Sequence, residues 1–321
     1  MASIGTWWMW LLFFAIIAIA LMVDIIVFKG RKAHNVSLKE ATVWTTVWIV
    51  LALLFNLCLW WYLSEGIHSP LALKKSLEFL TGYILEKSLS VDNIFVFLII
   101  FHYFVIPPEY QRRVLLYGVI GAIAMRLVII VFGIYLISKF HWILYIFGLI
   151  LALTGVKMLF FSKREPDLGK NPILKWMRKH CKITTELHGE RFFIRKNTIL
   201  YATPLFLALV LIEISDLIFA IDSIPAVFAI TKDSFIVFTS NIFAILGLRA
   251  LYFVFAHMAN RFRLLKYGVA IILVFIGLKM LAAYWFEIPV LITLSVIVGI
   301  LLLSAILSIQ KTKSSPLAKG G

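Results

Sequence analysis

Apolar residues in this chain neither alternate nor recur as a helical stripe; they run on for twenty or more positions at a time. A helix needs about 20 mostly apolar residues to cross ~30 Å of hydrocarbon. Nine runs meet that length: 7–27, 43–63, 78–104, 114–137, 141–161, 199–230, 235–257, 265–285 and 289–309. The only long hydrophilic stretch is 162–198, and the other connections are short. The pattern predicts an all-α protein, a polytopic membrane bundle of nine spans forming one domain over 1–321, with 289–309 as the last span. The third and sixth runs, 27 and 32 residues, exceed a single crossing. At ~1.5 Å per residue they measure roughly 40 and 48 Å. Pro204 and Pro225 predict a break in the sixth, because proline removes a backbone donor and clashes one turn back.

Composition agrees with the pattern. Of 321 residues, 62% are hydrophobic and 15% charged, whereas soluble globular domains run near ~45–50% and ~25%. The net charge of +15 would suggest nucleic acid if it were spread evenly. It is not. Twenty-two of the Lys and Arg residues fall in 28–42, 105–113, 162–198, 258–266 and the tail after 309, all on one side of the predicted bundle. Only Lys74, Lys75, Lys139 and Lys232 fall on the other. Positive charge marks the cytoplasmic side. The N-terminus is therefore expected outside, the C-terminus and 162–198 in the cytoplasm, and no nucleic-acid partner. Trp7, Trp8, Trp10, Trp60, Trp61, Trp142 and Trp285 all fall at outer ends, as an interfacial belt requires. No positive charge precedes the first run, so it reads as a retained helix rather than a cleaved leader. In the basic loop, Ile173, Leu174, Trp176 and Met177 interleave with Lys175, Arg178, Lys179 and Lys182, which suits a short helix on anionic lipid.

The remaining five basic residues, Lys87, Arg126, Lys157, Arg249 and Lys279, sit inside the runs, and their contexts rhyme. Gly155-Val156-Lys157-Met158-Leu159 closes the fifth run, and Gly277-Leu278-Lys279-Met280-Leu281 lies late in the eighth. Glu86 precedes Val91-Asp92-Asn93-Ile94 by the step with which Asp216 precedes Ile221-Asp222-Ser223-Ile224. A second registration sets Glu213-Ile214-Ser215 against Glu86-Lys87-Ser88. Under either, spans 3–5 (repeat 1, 78–161) return as spans 6–8 (repeat 2, 199–285). Three is odd, so the second copy runs through the bilayer inverted, an arrangement of secondary transporters whose substrate sits at the midplane where the copies meet.

The interiors of the third and sixth runs also carry five acids: Glu86, Asp92, Glu213, Asp216 and Asp222. A charge at the bilayer centre costs about 2.5–3.5 kcal/mol even on lenient scales, so these side chains must face the interior. One reading is structural, with the acids paired to Arg126, Arg249 and Lys87 to hold the bundle together. Lys157 and Lys279 lie near run ends and are expected to snorkel, which leaves five acids against three deep bases. The surplus must be protonated or bind a cation. Asn93 and Ser223, each seven residues after an acid, share its helix face. This all-oxygen donor set suits hard divalents such as Mn²⁺, Mg²⁺ or Ca²⁺. Soft metals would need Cys or His. The seven histidines lie at run ends or in loops, and the two cysteines are Cys58 and Cys181. No phosphate-binding glycine loop and no hydrolase or metalloprotease signature occurs, so neither an enzyme nor a prosthetic group is expected. Transport would draw on a gradient. Because metal binding displaces protons from its ligands, proton–metal antiport is the expected coupling.

Glu86-Lys87-Ser88-Leu89-Ser90-Val91-Asp92-Asn93-Ile94-Phe95, with the residues from Gly82, resembles the signature of the TerC family of integral membrane proteins, in its bacterial Alx-type subgroup. So do the stretches from Glu213 to Ala226 and from Thr239 to Arg249. The likeness covers nearly the whole chain. It implies a multi-pass protein of the bacterial inner membrane linked to manganese export. On matching positions it makes Glu86, Asp92, Glu213, Asp216 and Asp222 the metal pathway, with Asn93, Ser223, Asn241 and Arg249 in support. The family's tellurite label does not suit carboxylates, which repel oxyanions. Two other readings stand beside Mn²⁺ export: a membrane assembly or stress-response protein whose acids are structural, and an exporter of other divalents such as Ca²⁺.

Overall fold

A computed structural model describes residues 3–29, 36–66, 69–140, 142–161, 171–184, 186–196, 199–258, 264–283, 285–286 and 288–313. Parts of the sequence reading, the basic segments 30–35 and 259–263, residues 162–170 of the basic loop and the tail after 313, lie outside the described residues.

Each predicted run coincides with a helix. They are α1 (Trp7–Lys29), α2 (Leu38–Gly66), α3 (Ser69–Tyr103), α4 (Pro108–Lys139), α5 (Ile143–Phe161), α7 (Pro204–Phe228), α10 (Leu265–Ala282) and α11 (Val290–Lys313), with α8 (Ser234–Leu246) and α9 (Leu248–Met258) sharing one run. Among the described residues six helices are long and apolar enough to cross a membrane, or seven if the pair α8–α9, bent by 45°, is one span. The apolar stretch of α1, Trp7–Val23, is shorter, and α3 is the most heavily charged of the long helices, with six Lys, Asp and Glu residues between Lys74 and Asp92. The protein is thus a polytopic helical membrane protein.

Two expectations need correcting. Residues 199–202 are not helical. They form β2 (Ile199–Ala202), paired antiparallel with β1 (Phe193–Lys196). The following helix starts at Pro204, where the missing N–H costs nothing because first-turn donors are unpaired anyway. The expected break in the sixth run does not occur either, since α7 is continuous. Pro225 lies in the final turn of α7, so its lost hydrogen bond affects only the helix end. The chain breaks instead at Gly247, in the seventh run. There Lys87 Nζ donates to the Ala244 carbonyl at 3.1 Å, and a β-carbon on Gly247 would collide with that ammonium and with Trp48.

Packing explains the arrangement. The most extensive pairing is α5 on α10, followed by α3 on α8 and α4 on α7. A β-carbon at Gly277 would lie 2.6 Å from the Gly148 carbonyl oxygen, and one at Gly155 2.7 Å from that of Ala270. Small residues let backbones approach closely in membranes, where association rests on van der Waals contact rather than hydrophobic expulsion. The N-terminal helix is part of this core. Phe13 is wholly buried against Phe55, Phe235, Phe238 and Phe243. Trp7, Trp8, Trp60, Trp61, Trp142 and Trp285 are exposed at helix ends, while Trp10 packs inward on Phe235 and Phe238. On the basic side, α6 (Pro172–His180) buries Leu174 and Met177 near Leu207 of α7. Its N-cap is Asn171, whose side-chain oxygen accepts from the N–H of Ile173 at 2.9 Å.

Candidate ion site in the helix bundle

The acids of α3 and α7 meet at one residue of α4. Arg126, 1% exposed, donates through Nη1 to the Glu86 carboxylate, to Asn241 Oδ1 at 2.9 Å and to Ser223 Oγ at 3.3 Å. Its Nη2 lies 3.6 Å from Asp216 Oδ1. Asn93 Nδ2 donates to the same Asp216 oxygen at 3.0 Å. One guanidinium thus ties together α3, α4, α7 and α8. The planar fork of arginine suits such a multiple contact, and its charge cannot be removed. Glu86 Oε2, Asp216 Oδ2 and Arg126 Nε are buried with no hydrogen-bond partner among the described residues. Buried polar atoms in native proteins are nearly always paired, so three orphans in one cluster mark an arrangement that its own side chains do not complete.

Beside this cluster lies a cavity of about 50 Å³, and Glu86, Asp92 and Asp222 all line it, together with Asn93, Ser223 and Arg126. A single water needs ~10–15 Å³, so the space admits a small, partly hydrated ion. Asp222 accepts from Thr154 Oγ1 of α5 at 3.4 Å. Lys157 and Lys266 lie within electrostatic reach of Asp222 and Asp92 respectively. No ion pair within 4 Å joins Asp92, Glu213 or Asp222 to a described base. A second, smaller cavity of about 10 Å³ is walled by Asp216, Arg249, Gly118 and apolar side chains.

The predicted residues are therefore brought together only in part. Glu86, Asp92, Asn93, Asp222 and Ser223 share the larger cavity, and Asp216 joins them through Arg126 and Asn93. Glu213 stands apart from it. Its carboxylate rests where a β-carbon on Gly121 of α4 would be. Lys87 serves the helix break rather than an acid, and Lys279 donates to Thr293 Oγ1 of α11 at 2.9 Å instead of simply reaching for the surface. Among the described residues no three His, Cys, Asp or Glu side chains stand close enough to hold a metal ion together. The acids instead surround a guanidinium.

Sequence reasoning missed two features. Thr154 was hidden in an apolar run, although a lone hydroxyl just before the repeated Gly-x-Lys-Met-Leu motif is a signal. Glu78, 3% exposed, was passed over at the edge of the third run. It pairs with Lys75 at 2.9 Å and accepts from Thr231 Oγ1 at 2.6 Å. Lys75 also lies 3.4 Å from Asp233, the N-cap of α8, which accepts from Ser3 Oγ and the Ile4 amide.

The chain is similar to known membrane proteins. Residues 71–315 match the model of the integral membrane protein TerC family. The chain is 51% identical over 308 residues, 96% of each chain, to an Escherichia coli K12 protein described as "Putative membrane-bound redox modulator Alx". A Photorhabdus laumondii protein with the same description is 49% identical over 98% of each chain. An uncharacterized membrane protein of Myxococcus xanthus is 43% identical over 98% of this chain and 96% of its own. No solved structure matches.

Proposed function

The chain belongs to the TerC family of integral membrane proteins, and we propose that it is a secondary transporter that exports Mn²⁺ from the cytoplasm in exchange for protons. The observation that carries this reading is the cavity in which carboxylates of two separate helices, Glu86 and Asp92 of α3 and Asp222 of α7, converge with Asn93 and Ser223. All these donors are hard oxygens, the preference of Mn²⁺, Mg²⁺ and Ca²⁺. An ion bound there would take ligands from both helices, and protons on the same carboxylates would compete with it. The relatives' description as a redox modulator fits the movement of a redox-active metal. Thiol chemistry is a poorer fit, since Cys58 lies exposed on α2 and Cys181 caps α6, both as free thiols.

Nine spans and an inverted repeat belong to the same proposal. The step that takes Gly155 to Gly277 also takes Gly148 to Ala270. The contact of Gly148 with Gly277 is thereby exchanged with that of Gly155 with Ala270, as a two-fold axis between α5 and α10 requires. The step from Glu86 to Asp216 likewise takes Asn93 to Ser223. The Asn93–Asp216 pair then corresponds to Ser223 and Glu86, which meet at Arg126. The basic side, with α6, the hairpin and the C-terminal tail, would face the cytoplasm of a bacterial inner membrane. The loop would lie on anionic lipid there, with Trp176 60% exposed and flanked by the exposed Lys175, Arg178 and Lys179.

One observation favours the structural alternative: Arg126 already engages two of the acids. Flux in proteoliposomes separates the readings. The purified chain is expected to move Mn²⁺ faster than Ca²⁺ or Mg²⁺, with a rate that follows an imposed pH gradient. Asp92→Asn and Asp222→Asn are expected to abolish the flux with protein levels unchanged. Full activity in both variants would refute transport through this cavity, and faster Ca²⁺ than Mn²⁺ movement would reassign the substrate.

A further inference from the structure

Where Glu86, Asp216 and Ser223 face one another, a guanidinium contacts all three. Arg126 is the sole base in contact with these acids among the described residues. It reaches them from α4, across the wall of the larger cavity, and it leaves one oxygen of each carboxylate without a partner. A clamp selected only for rigidity would saturate both carboxylates in a bidentate fork. This one makes single contacts to several partners on three helices, which lets it leave without dismantling any one pair.

A second arginine lines a cavity with the same acid. Arg249 of α9 and Asp216 wall the smaller cavity together, while Arg126 and Glu86 wall the larger. Arg126 reaches Asp216 from α4, and Arg249, on α9 just beyond the break at Gly247, lines the smaller cavity with it. The two arginines occupy corresponding places in the two repeated segments, as do Glu86 and Asp216. Under that correspondence the counterpart of the contact between Arg126 and Glu86 is one between Arg249 and Asp216.

We propose that Arg126 and Arg249 are exchangeable resident counter-cations. Arg126 occupies the carboxylate site when it is empty in this conformation and is expelled by the incoming divalent ion; Arg249 takes over the corresponding carboxylate in the oppositely facing conformation. This inference rests on the transport reading and assigns the residues that couple ion release to reorientation. A dication and a guanidinium cannot share the Glu86 carboxylate, because like charges a few ångströms apart in a poorly screened interior repel strongly. Binding of the ion therefore drives Arg126 out. Loss of the ion leaves uncompensated negative charge until an arginine returns to Glu86 or Asp216 and protons load Asp92 and Asp222, so the carrier reorients only with an arginine in place. Both arginines are positioning residues in this scheme, since neither touches the transported ion.

The test uses the full chain in proteoliposomes and in detergent, with Mn²⁺ as the probe. Arg126→Gln removes the competitor, so Mn²⁺ is expected to bind roughly tenfold tighter or more. Exchange of Mn²⁺ against Mn²⁺ across the vesicle should persist, while net efflux into metal-free buffer falls at least tenfold. Arg126→Lys, which keeps the charge and loses the fork, should restore part of the net efflux. A purely structural clamp predicts a different pattern, in which binding, exchange and net efflux fall together in both variants. That pattern, or unchanged Mn²⁺ affinity in Arg126→Gln, overturns the proposal. Should Arg126→Gln fail to fold, Arg249→Gln decides: retained exchange with lost net efflux supports the scheme, and wild-type net efflux refutes it. A wild-type chain that moves no Mn²⁺ at all would instead sink the transport reading, which separates the two failures.

Discussion

Replacing Gly277 by alanine adds one methyl group where α10 lies against the backbone of α5. Its β-carbon would lie 2.5 Å from the backbone nitrogen of Ala152 and 2.6 Å from the Gly148 carbonyl oxygen, both main-chain atoms that no rotamer change can move. Relief to an ordinary contact of about 3.5 Å requires α5 and α10 to separate by roughly 1 Å. A gap of 0.5–1 Å forfeits a quarter to a half of the dispersion energy of the atoms facing it. Forced overpacking of this kind costs about 1–3 kcal/mol, or a fall of roughly 2–10 °C in melting temperature. The displacement should also reach the cavity, since α5 carries Thr154 against Asp222 and α10 contributes Val269 and Leu273 to its wall. Thermal unfolding in detergent, with Mn²⁺ flux measured on the same preparation, reads both effects. Gly299→Ala on α11 is the control, because its β-carbon would meet nothing within 4 Å; there the better helix propensity of alanine should leave stability unchanged or slightly higher. If Gly277→Ala melts with the wild type, the backbone-to-backbone account of this helix pair is wrong.

Three further outcomes are expected. Thr231→Val removes the 2.6 Å donor to the buried Glu78 carboxylate and should destabilise the protein by about 1–3 kcal/mol, read as a lower melting temperature. Thr154→Val deletes the 3.4 Å hydrogen bond to Asp222 and should weaken Mn²⁺ binding several-fold without lowering the melting temperature, checked by titration of the purified chain. Lys175→Glu with Lys179→Glu reverses two exposed charges beside Trp176 and should reduce co-purifying phosphatidylglycerol, counted by native mass spectrometry, while phosphatidylethanolamine stays constant.

Helix positions were legible because bilayer thickness imposes them: a run of apolar residues about one membrane thick has few alternatives to a helix, and each of the nine runs holds one. What misled was the assumption that proline marks the break. Pro225 falls in a final turn, where a lost hydrogen bond has little to disrupt, whereas Gly247 breaks its run in company with Lys87 and Trp48, whose approach only the folded chain reveals. Residues 199–202 read as part of an apolar run, but their pairing with 193–196 depends on a strand outside it. The site was legible in kind and not in grouping. Five acids on two helices announced a polar centre, yet helical spacing could not tell that Glu213 would settle over Gly121 while Asp222 turned toward Thr154.

The lysine at the broken helix has a consequence for energetics. Carriers driven by sodium often lodge that ion against main-chain carbonyls freed where a helix is interrupted. Here the side chain of Lys87 delivers its own tethered ammonium to the Ala244 carbonyl beside the interruption. A dissolved monovalent ion would find that place taken, so export should run at an unaltered rate when potassium or choline replaces sodium in the medium.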